Sequence, residues 1–235
     1  MTDAARVHGA SGTPGRSESS VDRLSLAGWR RRLADLYAEV RRVAAHDPRA
    51  AWDTWRGVRE ELFREHPQSP VPPAARSAFR ARHWDYDPSL RFAVAVRDAA
   101  SDEDRGVRLS ASPGLSLQLP MSVGDALDFQ RIGWVDVPFP AGSRTLAVYW
   151  MAGYAGGLFL PFRDATNGDA TYAAGRYLLD TAKSADLGVD AEGRLILDFN
   201  FAFHPSCAFD PVWSCPLAPP ENRLDVPIEA GELLR

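Results

Sequence analysis

Leu26, Trp29, Leu33, Leu36, Tyr37, Val40 and Val43 recur at steps of three and four between Ser25 and about Ala45, the spacing that lays one apolar stripe along a helix. Asp47-Pro48 then supplies an N-cap and a proline at the first helical position, where its missing N–H costs nothing. Trp52, Trp55, Val58, Leu62 and Phe63 carry the stripe to His66-Pro67, which stops it. A helical hairpin over residues 23–66 is predicted, with an aromatic face that needs a partner. After Pro88 the period shortens to two. LRFAVAVR, LSLQL (115–119), LDFQRIGWVDVPF (127–139), GRYLLD (175–180), RLILDFN (194–200) and RLDVPIE (223–229) read as strands parted by short Gly, Asp, Asn and Pro turns. Strands without intervening helices favour an antiparallel arrangement. The expected fold is α+β: an N-terminal helical hairpin packed on a mainly antiparallel β roll or barrel at 88–235, in one domain over 23–235.

Thr145 to Phe162 carries no charged residue and is nearly long enough to span a bilayer. Gly153, Gly156, Gly157 and Pro161 interrupt it, and TLAVYWM and GGLFLPF each have strand length, so a buried hairpin is expected and no membrane partner. Residues 1–22 are rich in Gly, Ser and Thr without a secretory apolar run, which predicts a disordered tail and a cytoplasmic protein. A net charge of −4 and a pI near 5.7 leave no basic stripe for phosphates, so nucleic acid is not an expected partner. The aromatic hairpin face also suits a homodimer interface.

Candidate chemistry gathers in three stretches. Continued alternation through 195–204 would set Asp198, Asn200 and His204 on a polar face opposite Leu197, Phe199 and Phe201, either toward water or lining a cavity. FRDATNGDATYAAGRY holds Arg163, Asp164, Tyr172, Arg176 and Tyr177 around an Asn167-Gly168 turn. Its polar groups fit either a capped loop or fork-like capture of a carboxylate or phosphate by arginine. Asp198 would serve as a base if buried away from a cation. Cys207 and Cys215, the only cysteines, lie in a proline-rich loop with His204 and Asp210 close by. A disulfide, two packed thiols and a zinc site are all open, as is a Cys207 nucleophile activated by His204. No P-loop, G-x-G-x-x-G or G-x-S-x-G is present, and no motif names a cofactor. On the second helix, Arg56 and Arg59 either face solvent or reach beneath the helix toward the strands.

WRGVREELFREHPQSPV (55–71), PFRDATNGDATYAAGRYLLD (161–180) and LDFNFAFHPSCAFDPVWSCPLAPPENRLDVPIEAGE (197–232) together resemble the bacterial domain-of-unknown-function family 1684, across roughly Trp29 to Glu232. The resemblance brings no established substrate or catalytic residue. His204 departs from the asparagine of many similar members. The expectation is an uncharacterised family protein that binds, or turns over, a small polar or anionic metabolite. Asp198, His204 and Cys207 are its catalytic candidates; Arg163, Asp164, Tyr172, Arg176, Tyr177 and Asn200 are its ligand-binding candidates. The competing expectation is a structural or interaction module whose motif residues are loop caps with a cysteine or zinc staple.

Overall fold

A computed structural model describes residues 19–98, 116–153 and 156–234. The tail expected at 1–22 lies outside the described residues up to 18, and the strand expected at 115–119 is described from Ser116. The first helix, α1, is Ser20–Ala44 and the second, α2, is Pro48–Glu65. α1 begins ahead of the expected Ser25 because Ser19 and Asp22 form a capping box: the Ser19 hydroxyl accepts from Asp22 N–H at 3.1 Å while the Asp22 carboxylate accepts from Ser19 N–H at 3.0 Å. The apolar stripe gives no sign of this first turn, since Val21 and Leu24 face solvent. The Asp47 carboxylate caps α2 by accepting from Ala50 N–H at 2.9 Å.

Ten strands are described: β1 Arg82–His83, β2 Arg91–Val94, β3 Arg97–Asp98, β4 Ser116–Leu119, β5 Leu127–Phe139, β6 Gly142–Met151, β7 Leu158–Phe162, β8 Arg176–Asp180, β9 Leu195–Asp198 and β10 Glu232–Leu233. The main sheet runs β3-β5-β6-β7-β8, with β4 also on β5; β2 pairs with β9 and β1 with β10, all antiparallel. The apolar segment at 145–162 is the expected hairpin, with Tyr149 opposite Phe159 and Trp150 opposite Leu158. Among the described residues no helix is long and apolar enough to cross a membrane.

The expected barrel is not closed: among the described strands none joins β8 back to β3 or β4, and the sheet stays open like a roll. Irregular chain takes the place of a closing strand at β8, where Tyr177 pairs with Phe203 and Asp180 with Ala185 as single bridges. Both sheet faces are covered. One packs Val135, Val137, Leu146, Val148, Leu160 and Phe162 against Leu197 and Phe199. The other packs Phe129, Trp134, Tyr149, Phe159 and Tyr177, beneath the loop that binds through Tyr177 OH to Pro216 O and Leu217 N–H to Pro120 O at 2.9 Å. This double covering explains the unbroken burial of Leu146 to Tyr149, where a half-solvated strand would alternate.

Two expected strands end early. RLDVPIE at 223–229 is irregular apart from one bridge between Arg223 and Arg163. Leu224 and Ile228 point to the core as in a strand, but Pro227 has no N–H to offer a ladder and the segment bonds instead to the 163–165 loop, Leu224 N–H reaching Arg163 O at 2.7 Å. The 194–204 alternation stops at Asp198, whose carboxylate accepts from Asn200 N–H at 3.0 Å and caps a 3-10 turn, Phe199–Phe201. Phe199 therefore joins the sheet core while Phe201 joins the hairpin cluster of Leu36, Tyr37, Trp52, Trp55 and Phe63. The Trp52 indole Nε1–H donates to Asn200 O at 2.8 Å, which ties α2 to this turn.

β8 enters from Gly175, which has φ +101° and a Cα so close to β7 that an added Cβ would sit 2.4 Å from Phe162 O. Gly175→Ala is expected to destabilise by more than ~1 kcal/mol, where the same replacement at a compatible position stabilises by up to about that much, because both the backbone conformation and the space exclude a side chain. Urea denaturation of the variant beside the wild type measures it; equal midpoints would refute this account.

Candidate functional site

The singled-out residues fall into three separate places. At the first, Arg176 is fully buried. Its guanidinium forms an ion pair with Asp164, donates to Ala230 O and to Ile228 O (2.8 Å), and lies over the rings of Phe162 and Trp84 at 5.2 and 5.3 Å. Burial pulls the Arg176 pKa down, opposed by the Asp164 charge. Asp164 also accepts from Thr166 N–H at 2.8 Å, and Asn167 closes the loop by accepting from Asp164 N–H at 2.8 Å and donating to the Thr171 hydroxyl at 2.8 Å. Arg163 is half-buried beside this loop, and its Nε has no hydrogen-bond partner.

At the second place Asp198 is fully buried. One carboxylate oxygen accepts from Tyr86 OH and Arg91, each at 3.2 Å; the other accepts from the Asn200 backbone and side chain at 3.0 and 2.8 Å. Asn200 in turn brackets Asp87, accepting its N–H and donating to its C=O, each at 2.8 Å. Burial raises the Asp198 pKa, opposed by Asn200 and Arg91. The cation beside Asp198 is Arg91 rather than Arg176, and the expected meeting of the 163–177 segment with the Asp198 strand does not occur through these side chains.

The third place is the cleft between the helical hairpin and the sheet. Its walls include Trp29, Leu33, Trp55, Phe63 and Phe203; its polar groups include Tyr37, Arg59, Tyr177, Asp180, Lys183 and His204, with Ser206 and Cys215 at one end. Arg59 reaches under α2, as the sequence allowed, stacking 4.4 Å from Phe63 and 4.9 Å from Phe203 and pairing with Glu232. Arg56 stays outside, over Trp52 at 4.0 Å. Glu232 accepts from His204 N–H at 2.7 Å. Burial works to raise the Glu232 pKa, but the Arg59 charge and hydrogen bond outweigh it and hold the pKa at about 2. The His204 ring accepts from Tyr172 N–H at 3.2 Å through Nε2, and burial drives its pKa down to about 4, so the ring is neutral.

The cysteines are free thiols in contact: Cys207 N–H donates to Cys215 Sγ at 3.4 Å, and the thiols hydrogen-bond each other with the Tyr172 hydroxyl beside them. The contacts made by the His204 ring are with Tyr172 N–H and, at 3.7 Å, the Glu232 carboxylate, so a His204–Cys207 proton-transfer pair is not assembled. Among the described residues no group of three or more His, Cys, Asp and Glu is placed to hold a metal, and Asp210 instead accepts from Val212 N–H at 3.0 Å.

Residues 80–233 match the family described as Protein of unknown function (DUF1684). The chain belongs to this family. A solution NMR structure of an uncharacterized protein of Haloarcula marismortui is similar to it, with 29% identity and a TM-score of 0.51, covering 77% of this chain and 91% of that one. No curated protein matches the chain. The family match begins after the hairpin, so the cleft has its floor, from Tyr177 through Cys215, within the matched residues and its roof on α1 and α2 outside them.

Several cleft residues escape a reading of the sequence. Arg59 did not, since it falls in the Trp52, Trp55, Phe63 stripe where an apolar residue belongs. Asp180 was missed but carried a signal, as the charged end of the RYLLD strand. Glu232 and Tyr37 carried none, because their partners lie far away in the chain, and Lys183, whose partner Asp180 is three residues back, gave no sign that its turn borders a cleft.

Proposed function

We propose that the protein binds a small polar molecule in the cleft between the helical hairpin and the β core. One observation carries this reading: Lys183, at the rim of an otherwise aromatic cleft, keeps 60% of its side chain accessible while its partner Asp180, 3.0 Å away, is buried. Asp180 raises the Lys183 pKa and keeps it charged. An apolar concavity with a few convergent polar groups is the general form of a small-molecule site. Charge limits the ligand. Arg59 and Lys183 each face a carboxylate, Glu232 and Asp180, so the cleft offers dipoles rather than net positive charge and suits a neutral or zwitterionic molecule better than a dianion. Size limits it further: the cavity is about 70 Å³, against the roughly 150 Å³ that admits benzene.

On this reading Arg176 with Asp164, and Asp198 with Asn200, are structural, since each charge ends on internal partners. The same completeness favours a second reading, a structural module without a ligand. Thermal-shift screening with small amides, amino acids and polyols separates the two. A stabilising compound is expected for the wild type, with the response lost in Lys183→Ala. The variant's own midpoint is expected to fall, because the buried Asp180 carboxylate loses its cation, so each response is read against the midpoint of the same protein without compound. A response that survives in Lys183→Ala would refute the placement, and no response from any compound would favour the structural module.

A further inference from the structure

We propose that Cys207 and Cys215 are an oxidisable dithiol, which a small hydroperoxide entering by way of the cleft converts to an intramolecular disulfide. The pair is already adjacent: Cys207 N–H lies 3.4 Å from Cys215 Sγ, and a disulfide asks only that the two Cβ atoms come to about 3.8 Å. Both loop ends are held in place, Cys207 in a short 3-10 turn after Pro205 and Cys215 by its N–H on the Ser122 hydroxyl at 3.0 Å.

The two touching thiols do not ionise alike. The Cys215 thiol above all, with the Ser122 and Tyr172 hydroxyls, holds the Cys207 thiol below the ordinary thiol range against the effect of burial. The same contact and burial push Cys215 up. One sulfur of the pair thus ionises and attacks while the other keeps its proton and resolves the product. Access selects the oxidant. Cys207 and Cys215 are 7% and 5% exposed, but Ser206 and Cys215 stand in the wall of the cavity of about 70 Å³. Hydrogen peroxide fits such a space and a glutathione-sized disulfide does not.

The chemistry balances with the hydroperoxide as the only co-reactant. The thiolate of the pair attacks one peroxide oxygen, the O–O bond breaks, and the departing alkoxide or hydroxide takes a proton from solvent, leaving that cysteine as a sulfenic acid. The neighbouring sulfur then attacks the sulfenic sulfur; the S–S bond forms, the S–O bond breaks, and hydroxide leaves with the neighbour's proton as water. Two thiols lose two electrons, and the hydroperoxide becomes an alcohol, or water, plus water.

Because the chain holds only two cysteines, the intact mass of the wild-type protein reports the reaction by itself and without any ligand of the cleft. Treated with hydrogen peroxide and then blocked with a thiol reagent under denaturing conditions, the monomer is expected to lose two hydrogens and take up no blocking group. At least one of Cys207→Ser and Cys215→Ser, each lacking one thiol of the pair, should instead stop at a sulfenic acid that dimedone traps. Wild-type protein that adds oxygen without losing hydrogen, forms disulfide-linked dimers, or keeps both thiols would overturn the proposal. So would oxidised glutathione closing the bridge as fast as peroxide does. These readouts on the wild type stand even if a variant fails to fold.

Discussion

Replacing Arg176 by alanine is expected to cost about 3–5 kcal/mol, the range for breaking a buried ion pair by removing one partner. The side chain is wholly inside the protein and holds three elements together: the 164–171 loop through Asp164, the C-terminal segment through Ala230 O and Ile228 O, and β7 through the Phe162 ring. Its loss strands the buried Asp164 carboxylate and two backbone carbonyls. In the double variant with Asp164→Ala the cost should fall well short of the sum of the single costs, since no uncompensated charge remains. Urea denaturation of the four proteins, run as a cycle, measures the coupling. Additive costs would mean that the pair does not act as a unit, and a variant as stable as the wild type would return Arg176 to the candidates for ligand capture.

The second large effect is acid lability. His204 is held neutral by burial, with its pKa down at about 4 from an ordinary 6.5, and burial does the same to His83. Between these values the unfolded chain binds protons that the folded chain refuses, so stability falls as pH drops from 6.5 to 4. Each group contributes on the order of 2–3 kcal/mol to that loss. Glu232 adds to it at lower pH: its pKa is held at about 2, so its stabilisation is present above its ordinary 4.5 and disappears as pH falls toward 2. His204→Gln isolates one share. The glutamine carbonyl, which reaches toward the Nε2 position, can still accept from Tyr172 N–H, as the His204 Nε2 does at 3.2 Å, but cannot be protonated in this range. Its unfolding free energy should therefore decline less between pH 6.5 and 4, by that same few kcal/mol, with little change at pH 8. Parallel pH profiles for the two proteins would refute the assignment.

The hairpin and the main strands were legible because their signals are local. A stripe at steps of three and four, an Asp-Pro cap, and two uncharged strand-length runs around glycines each state their structure within a few residues. Even so, α1 begins ahead of its stripe, where only the Ser19–Asp22 box marks the start. The alternation at 195–204 misled because two clusters bury its residues: Phe199 and Phe201 look like neighbours on one strand face, yet the 3-10 turn sends one to the sheet and the other to the hairpin. Likewise Leu224 and Ile228 alternate as in a strand while Pro227 and the 163–165 loop take the backbone out of any sheet.

The candidate residues show the same division. Their types and the order in which they occur were enough to mark the family and to choose Arg176, Asp198, His204 and Cys207 as unusual. Which of them meet was decided in three dimensions. Arg176 closes on Asp164, Asp198 on Arg91 and Tyr86, and Cys207 on Cys215 and Tyr172, while Arg59 crosses from α2 to Glu232 near the other end of the chain. The physical reason is that a side chain's type is set by the sequence, but its charge state and reactivity depend on burial and on partners within a few ångströms, and chain folding supplies those from distant positions. Local hydrophobic period sufficed for the elements; only their packing made the cleft, the neutral histidine and the paired thiols.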